Sequence, residues 1–394
     1  MSETFLHGIE TIEITEGTRP IQTVKSSVIG VVGTAPDADV AKFPLNTPVL
    51  ICGNPREAAL LGDTGTLKNA VDAIFDQIGG LVVVIRVEKG ADDAATLTNV
   101  VGDATAGTGV HALLAAESVV KVAPRIVCAP GFTSVTTSEK VSTVVSELKG
   151  IATKMRAIVI ADGPGTTRAD AITYAEKNGG DRIFIVDPGV KVWDSVAEAP
   201  VVQPASARVA GMLARRDSEK GFWWSPSNQE VNGIVGVGRP VSFNMSDANS
   251  EANLLNDARV ATIIQKNGYR LWGNRTGATD PMWTFLSVRR TADMIYESIE
   301  DAFLWAMDRP MSANLILDIQ ESVNAYLRHL KAKGAILGGT CWLDPALNSK
   351  EQLMAGKLYL DFDIEPPAPL ERLSFRAQRN NGYYDELVDQ VLAA

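Results

Sequence analysis

RIVCA at residues 125–129, AIVIA at residues 157–161 and RIFIV at residues 182–186 are three short apolar runs of one pattern. Helical patterns separate them at residues 138–155 and 167–178. Short apolar runs rich in β-branched residues are typical of buried strands, and strands that alternate with helices indicate a parallel sheet covered by helices. This stretch therefore predicts an α/β layer with a mainly parallel sheet.

The same alternation continues on both sides, from residue 23 to residue 220. It predicts further strands at residues 24–32, 49–52 and 81–87, with helices at residues 66–78 and 205–215. After residue 247 a second unit is predicted, with a short helix, a hairpin, two long amphipathic helices and a last strand at residues 357–364. Asn267-Gly268 sits between the hairpin strands, and Asn-Gly favours the type I′ turn of a two-residue hairpin.

The length of 394 residues favours more than one domain, because single cores rarely grow beyond ~250–300 residues. We expect an α/β (α+β) chain in four parts. An N-terminal arm covers residues 1–22, and an outer α/β domain with a mainly parallel sheet covers residues 23–247. An inner α+β domain covers residues 248–369, and a C-terminal strand and arm covers residues 370–394.

Both ends carry apolar patterns that no neighbouring segment can cover. The C-terminal pattern follows a proline break at residues 366–369. A strand separated from its own domain by a hinge must find a sheet edge elsewhere, so we expect both arms to be strands that pair with another copy of the chain. The arm residues are Phe5, Leu6, Ile9, Ile12 and Ile14 at one end and Tyr383, Tyr384, Leu387, Val388 and Val391 at the other.

Composition excludes several classes of protein. The net charge of −10 and the pI of about 5.0 argue against general binding to nucleic acid or to anionic membranes. The first residues lack the pattern of a signal peptide, and no apolar run is long enough to span a bilayer. Three widely spaced cysteines are expected to be reduced core thiols. A soluble protein made in the cytoplasm, without membrane insertion, is predicted.

Catalytic motifs are missing. The three histidines are isolated, no C-x-x-C occurs, and no phosphate-binding loop or nucleophile elbow is present, so we expect no enzyme, no metal and no cofactor. One alternative is a cytosolic α/β enzyme that binds an anionic ligand at residues 162–167 (DGPGTT), where a strand leads into a helix. The other interpretation of this loop is a turn in which Thr166 or Thr167 caps the helix.

A dense cluster at residues 268–276 (GYRLWGNRT) does not fit a simple strand end. Arginines among aromatic residues and glycines suggest a tight corner in which guanidinium groups bridge carbonyl or carboxylate oxygens. A substrate site is the alternative, although no base or nucleophile lies nearby. The cluster residues are Tyr269, Arg270, Trp272, Asn274 and Arg275.

This cluster, together with WAMDRP at residues 305–310, resembles the signature of contractile phage tail sheath proteins, a family shared by simple contractile-tailed phages and R-type pyocins. Further similar segments are FLHGIE at residues 5–10, PLNTPVL at residues 44–50, VDPGV at residues 186–190 and AGKLY at residues 355–359. The resemblance runs in order from residue 5 to the end of the chain. Each segment alone is weak, but together they are specific.

The resemblance implies a virion protein that is assembled in the host cytoplasm and polymerises as stacked hexameric rings around a tail tube. It implies contraction from a metastable extended state, which drives the tube through the target envelope. Further implied partners are the baseplate and tail terminator proteins. The inner domain is expected to face the tube, and the terminal arms to add strands to the sheets of neighbouring subunits. A sheath-like protein of another contractile injection machine remains the alternative.

A basic group ends the second long helix of the inner domain, in a chain that is acidic overall. It consists of Arg328, His329, Lys331 and Lys333. One interpretation is a solvated helix end, where cations suit the helix dipole. The other is a contact with an acidic tube surface through exposed ion pairs, each contributing only ~0–1 kcal/mol and therefore easily broken.

Overall fold

A computed structural model describes residues 20–393. The strands are β1 (Ile29–Thr34), β2 (Val49–Cys52), β3 (Leu81–Val87), β4 (Ile126–Cys128), β5 (Ile158–Asp162), β6 (Ile183–Val186), β7 (Val190–Asp194), β8 (Ala199–Gln203), β9 (Gly236–Val237), β10 (Val260–Gln265), β11 (Tyr269–Trp272), β12 (Gly338–Leu343) and β13 (Leu360–Glu365). The N-terminal arm residues Phe5, Leu6, Ile9, Ile12 and Ile14 lie outside the described residues.

The α-helices are α1 (Pro55–Ala58), α2 (Leu67–Phe75), α3 (Asp93–Val101), α4 (Ala116–Val120), α5 (Thr143–Met155), α6 (Arg168–Asn178), α7 (Ser206–Glu219), α8 (Glu251–Asp257), α9 (Leu286–Ala302), α10 (Ala313–Ala332), α11 (Lys350–Met354) and α12 (Tyr383–Leu392). Short 3-10 turns occur at Ala59–Leu61, Gly109–Ala115, Pro281–Trp283 and Leu304–Ala306.

Eight strands form the main sheet, in the order β11-β10-β6-β5-β4-β1-β3-β2. The six strands from β10 to β3 run parallel, and β11 and β2 pair antiparallel at the two edges. The predicted mixed α/β architecture with a mainly parallel sheet is confirmed. We call residues 29–272 the sheet unit.

Each face of the main sheet carries its own core. Successive side chains of a strand point to opposite faces. Ile158 and Ile160 therefore belong to one buried cluster with helices α2 and α7, whereas Val159 belongs to the other with α5 and α6. All three side chains are almost completely inaccessible to solvent. Burial on both faces explains why these strands appear in the sequence as continuous apolar runs.

The hairpin of β10 and β11 forms as predicted. Asn267 and Gly268 have φ of 50° and 94°, the positive values that a type I′ turn requires. However, β10 also pairs parallel with β6, so the hairpin extends the main sheet. A domain limit at residue 247 would therefore separate β10 from its partner strand β6. The sequence does not indicate this pairing, because contacts between distant strands leave no local pattern. A small sheet in the order β8-β7-β9 was also not predicted.

A second compact unit comprises residues 286–365. Helices α9 and α10 enclose a third core with the antiparallel pair β12–β13, and this core includes Met294, Ile295 and Leu327. Phe362 and Ile364 of β13 pack against it, as the alternating pattern of the last strand predicted. We call residues 286–365 the C-terminal unit.

Two local predictions are wrong. The helical spacing of apolar residues from Val288 to Ala306 predicts that the first long helix includes Phe303 and Ala306. The helix instead ends at Ala302, and a 3-10 turn follows. Cys52 is exposed rather than in the core, because it ends β2 at the edge of the main sheet. Cys128 and Cys341 are buried, and all three cysteines are free.

Helix α9 joins the two units through ion pairs. Arg125, Arg156 and Arg182 lie just before β4, β5 and β6, at the amino ends of three adjacent strands. We call α9 residues Arg289, Arg290, Asp293, Glu297 and Glu300 the α9 charge row. Arg182 binds Asp293 with both guanidinium Nη atoms, one of them at 2.8 Å. Arg125 pairs with Glu297. Arg156 Nη2 lies 2.5 Å from Glu300 Oε1.

The pair between Arg290 and Asp217 of α7 is the most deeply buried of these. Their side chains are only 2% and 1% exposed, and the two Nη atoms donate to the two carboxylate oxygens at 2.7 and 2.6 Å. Arg290 also donates to the carbonyl of Ser26 at 3.2 Å. A buried charge that loses its partner is costly, so this pair strongly favours one packing of α9 against the sheet unit.

We expect Asp217→Asn to lower the free energy of unfolding by about 3–5 kcal/mol, because Arg290 would keep a buried charge without a counterion. Asp318→Asn, at an exposed position on α10, is the matched control and should be close to neutral. Chemical unfolding of both variants measures the effect. Equal stability of the two variants would contradict the role given to the buried pair.

Candidate functional site

The predicted cluster at residues 269–275 is a braced corner between β11 and α9. Arg270 donates from Nη1 to the carbonyl of Asn228 at 2.9 Å and from Nε to the carbonyl of Lys266 at 3.1 Å. The hydroxyl of Tyr269 donates to the carbonyl of Val235 at 3.0 Å. These donors bind backbone oxygens of the same chain, which is the geometry that the structural interpretation required.

Asn274 and Trp272 complete the corner. Asn274 is buried, its Nδ2 donates to Ser287 Oγ at 3.2 Å, and its carbonyl accepts from the amide of Leu286 at 2.9 Å. The ring of Trp272 packs edge-on against Phe243, with centroids 4.9 Å apart. Because Leu286 and Ser287 open α9, the corner fixes the start of that helix.

Arg275 has a different partner from the other corner residues. Its Nε and Nη2 donate to the two carboxylate oxygens of Glu371 at 2.8 and 2.6 Å. This hydrogen bonding raises the pKa of Arg275. Glu371 follows the proline break at residues 366–369, so Arg275 holds the root of the C-terminal arm against the body of the protein.

Beyond that root the arm is exposed and differs from the prediction. Residues 366–382 have no regular secondary structure, and Leu370, Leu373 and Phe375 are exposed. The predicted strand at residues 383–391 is wrong for the single chain, because these residues form helix α12. The apolar positions at Tyr383, Tyr384, Leu387, Val388 and Val391 are spaced by one, three and four residues, which is helical spacing.

The basic group at the end of α10 is exposed, as a contact surface requires. Arg328, His329, Lys331 and Lys333 all face solvent. Arg328 is already paired, since its Nη2 lies 2.5 Å from Glu321 Oε1, with the two side chains 62% and 56% exposed. The first part of α10 also has no buried residue before Ser322 and exposes Leu317, a surface that the sequence analysis did not identify.

The loop at residues 162–167 is occupied by a carboxylate of the protein itself. The amide of Gly165 donates to Asp187 Oδ2 at 2.6 Å, and a Cβ on Gly163 would lie 2.7 Å from Asp187 Cβ. Thr167 caps α6 by accepting from the amide of Asp170 at 3.1 Å. The helix-cap interpretation is therefore confirmed, and the amide that could have bound an external anion has an internal partner.

The two carboxylates near this loop have structural partners. Asp162 is buried and accepts from the amide and hydroxyl of Ser206 at 2.8 and 2.6 Å, which ties β5 to the start of α7. Burial raises its pKa, although hydrogen bonds from Ser206 and Thr133 oppose the shift. Burial likewise raises the pKa of Asp187, and Arg239 opposes it by donating to Asp187 Oδ1 at 2.8 Å.

The described residues offer little else for chemistry. Between residues 20 and 393 no group of three His, Cys, Asp or Glu side chains could hold a metal ion. Over the same part of the chain, no helix is both long enough and apolar enough to cross a membrane.

Family models match almost the whole chain in three consecutive parts. The Tail sheath protein Gp18 domain III N-terminal region matches residues 26–87, the Phage tail sheath protein central domain matches residues 105–277, and the Phage tail sheath C-terminal domain matches residues 278–379. The chain belongs to the phage tail sheath protein family. It is thus a structural subunit of a contractile tail sheath and a component of the virion.

Two relatives match this chain over nearly their full lengths. The prophage major tail sheath protein of Pseudomonas aeruginosa strain UCBPP-PA14 is 38% identical over 98% of this chain and 99% of its own. The tail sheath protein of Escherichia phage P2 is also 38% identical, over 98% of each chain. The central and C-terminal family models meet between residues 277 and 278, after β11 and before α9, close to the junction of the two units seen in the structure.

Solved structures share the fold at low sequence identity. The helical sheath of the anti-feeding prophage in its contracted state has a TM-score of 0.70 at 19% identity, over 96% of this chain and 100% of that one. The contracted sheath complex of the extracellular contractile injection system PVC has a TM-score of 0.69 at 18% identity, with the same coverage.

Arg275→Lys tests the root of the C-terminal arm. The pair with Glu371 is partly exposed, at 34% and 42%, so it should contribute only ~0–1 kcal/mol to global stability. Lysine keeps the charge but cannot reproduce the two-pronged contact. We therefore expect nearly unchanged melting but faster tryptic cleavage after Arg376, because a protease needs the chain around the cleaved bond to leave the body of the protein.

Arg372→Lys is the matched control, because Arg372 is exposed and neighbours Glu371. It should leave both melting and cleavage after Arg376 unchanged. An unaltered cleavage rate in Arg275→Lys would show that the contact does not hold the arm.

Proposed function

We propose that the chain polymerises as hexameric rings stacked around a tail tube protein and contracts from a metastable extended state to drive the tube through a target envelope. Baseplate and tail terminator proteins are its partners at the two ends of the sheath. Assembly takes place in the host cytoplasm, and the chain has no catalytic activity. The chain belongs to the tail sheath protein family, and its relatives are tail sheath proteins, which supports this proposal.

The observation that carries the proposal is the exposed C-terminal arm. It is pinned at Glu371 and then extends for more than twenty residues with its apolar side chains in solvent. The pair β12–β13 adds free strand edges, because each strand has one neighbour in the described part of the chain. Unpaired edges and exposed apolar arms invite pairing with another copy.

Energy for contraction must come from contacts between subunits. The three cores and the buried pair of Arg290 and Asp217 favour one rigid arrangement within the chain. The work then comes from the difference in free energy between two packings of the same rigid subunits. The arms keep neighbouring subunits connected while these packings exchange.

The tube contact is proposed for the exposed basic end of α10. Lys331 lies in its last turn and Lys333 is its C-cap, where cations also suit the helix dipole. Exposed pairs of this kind are weak and screened by salt, which allows the sheath to release the tube.

Deleting residues 376–394 should abolish sheath tubes without lowering the melting temperature, because α12 and the segment before it are exposed in the single chain. Electron microscopy of the purified parent should show tubes or rings, and the truncated chain should remain as small particles. Deletion of residues 1–16 is expected to have the same effect on assembly. Normal tubes from either truncated chain would contradict the role of that arm, and a parent that never assembles would contradict the proposed function.

Replacing Arg328, Lys331 and Lys333 with glutamate should impair sheath assembly around tubes while self-assembly without tubes persists. Salt at ~1 M, where the Debye length is ~3 Å, should weaken the same contact in the parent. The control variant replaces three exposed lysines of the sheet unit, Lys42, Lys89 and Lys177, with glutamate. It should assemble around tubes normally. Co-sedimentation with tubes measures both variants. Full sheathing by the first variant would place the tube contact elsewhere.

A further inference from the structure

In the described part of the chain, helix α12 presents a wide apolar face to solvent. At 100° per residue, its six apolar side chains cover about half of the helix circumference, while Glu386 and Asp389 lie on the other half. The five predicted arm residues of this helix are between 54% and 70% exposed. The apolar residues are Tyr383, Tyr384, Leu387, Val388, Val391 and Leu392.

A helix of this size gains little from its own hydrogen bonds. Isolated helices shorter than about 12–15 residues are marginal in water, and α12 has ten residues. Most helical stability comes from burying an apolar face. The sequence thus specifies an amphipathic helix whose stabilising surface must be supplied from outside it.

The C-terminal unit contains a cleft with matching chemistry. It has a volume of about 630 Å³ and lies between α9 and β13, beside the 3-10 turn at Pro281–Trp283. Its apolar lining consists of aromatic and aliphatic side chains, including Trp283, Val288, Tyr296, Ile299, Phe362 and Ile364. Charged residues also line it, namely Arg156, Glu300, Asp363 and Glu365.

The length of the cleft fits the helix. Val288 and Ile299 line it from the same helix and are eleven residues apart, which corresponds to about 16 Å along α9. Ten residues of α12 span about 15 Å. The apolar positions of α12 recur with the i, i+3, i+4 and i+7 spacing by which a helix docks in a groove.

We infer that α12 docks as a helix in this cleft of a second copy of the chain. The inference rests on the proposed sheath function and adds to it the binding partner of the arm. Each copy has one α12 and one cleft, so the contact can repeat head-to-tail from subunit to subunit, as the proposed helical assembly requires. Arg275 holds residue 371 at the body, and the eleven residues from 372 to 382 can span up to about 36–40 Å from that point.

Cross-linking between differently tagged chains tests this inference. Cys52, the exposed cysteine, is first replaced by serine. One chain then carries Leu387→Cys on the apolar face of α12, and the other carries Met282→Cys at the cleft, where Met282 is exposed. The matched control is Asp389→Cys, which lies about 200° away from Leu387 around the same helix.

Mixed chains are oxidised under conditions that give tubes. Because docking brings the local thiol concentration towards the millimolar range, we expect the disulfide-linked mixed dimer from Leu387→Cys to exceed that from Asp389→Cys by at least about tenfold. Melting curves verify that each variant folds, and Val391→Cys replaces Leu387→Cys if it does not.

Equal yields from the two helix faces would overturn the docking inference. A chain with both Leu387→Cys and Met282→Cys that cross-links only within itself would also overturn it, because α12 would then occupy its own cleft. Tubes that form without the mixed cross-link leave the sheath function intact and reject only this contact. A mixed cross-link in a protein that never forms tubes or rings would support the docking and reject the sheath function.

Discussion

Burial of charge between α9 and the sheet unit is the constraint on which the rest of the structure depends. Arg290 and Asp217 are nearly inaccessible to solvent, and Arg182, Arg289 and Asp293 form a second buried group. Charges in such positions are tolerated only when they are paired, because removal from water costs several kcal/mol per ion. Moving α9 relative to the sheet would separate several pairs at once. The two units are therefore held in one arrangement.

This rigid arrangement contrasts with the exposed C-terminal arm. Helix α9 shares Leu286 with a core of the main sheet and Met294 with the core of the C-terminal unit, so one helix contributes to both units. The corner at Asn274 fixes where α9 starts, and Arg275 fixes where the C-terminal arm leaves. A rigid body with an exposed arm held at its root suits assembly, because subunits can then change how they pack against one another while each keeps its own fold.

The sequence predicted local features better than distant ones. The parallel strands appeared as apolar runs and the β10–β11 turn as Asn267-Gly268, because burial on both faces and positive φ impose local composition. The pairing of β10 with β6 links residues far apart in the chain and left no local signal. The alternation at residues 370–375 favours a strand, but it does not continue into residues 383–391, where the spacing is helical. The α9 charge row and its partners did leave a signal. An arginine lies at or just before the start of each of three predicted strands, and the acidic residues of α9 occur at helical spacing.

Burial also separates permanent contacts from reversible ones. Within the subunit the arginine–carboxylate pair at Asp217 is almost fully enclosed, whereas the pair between Arg328 and Glu321 on α10 is more than half exposed. The same chemical groups thus serve two purposes, since solvent screening reduces the contribution of an exposed pair to ~0–1 kcal/mol. The pair of Arg275 and Glu371 lies between these limits, at the boundary between body and arm. A sheath subunit must stay folded while its contacts with other subunits change, and this gradient of exposure suits both requirements.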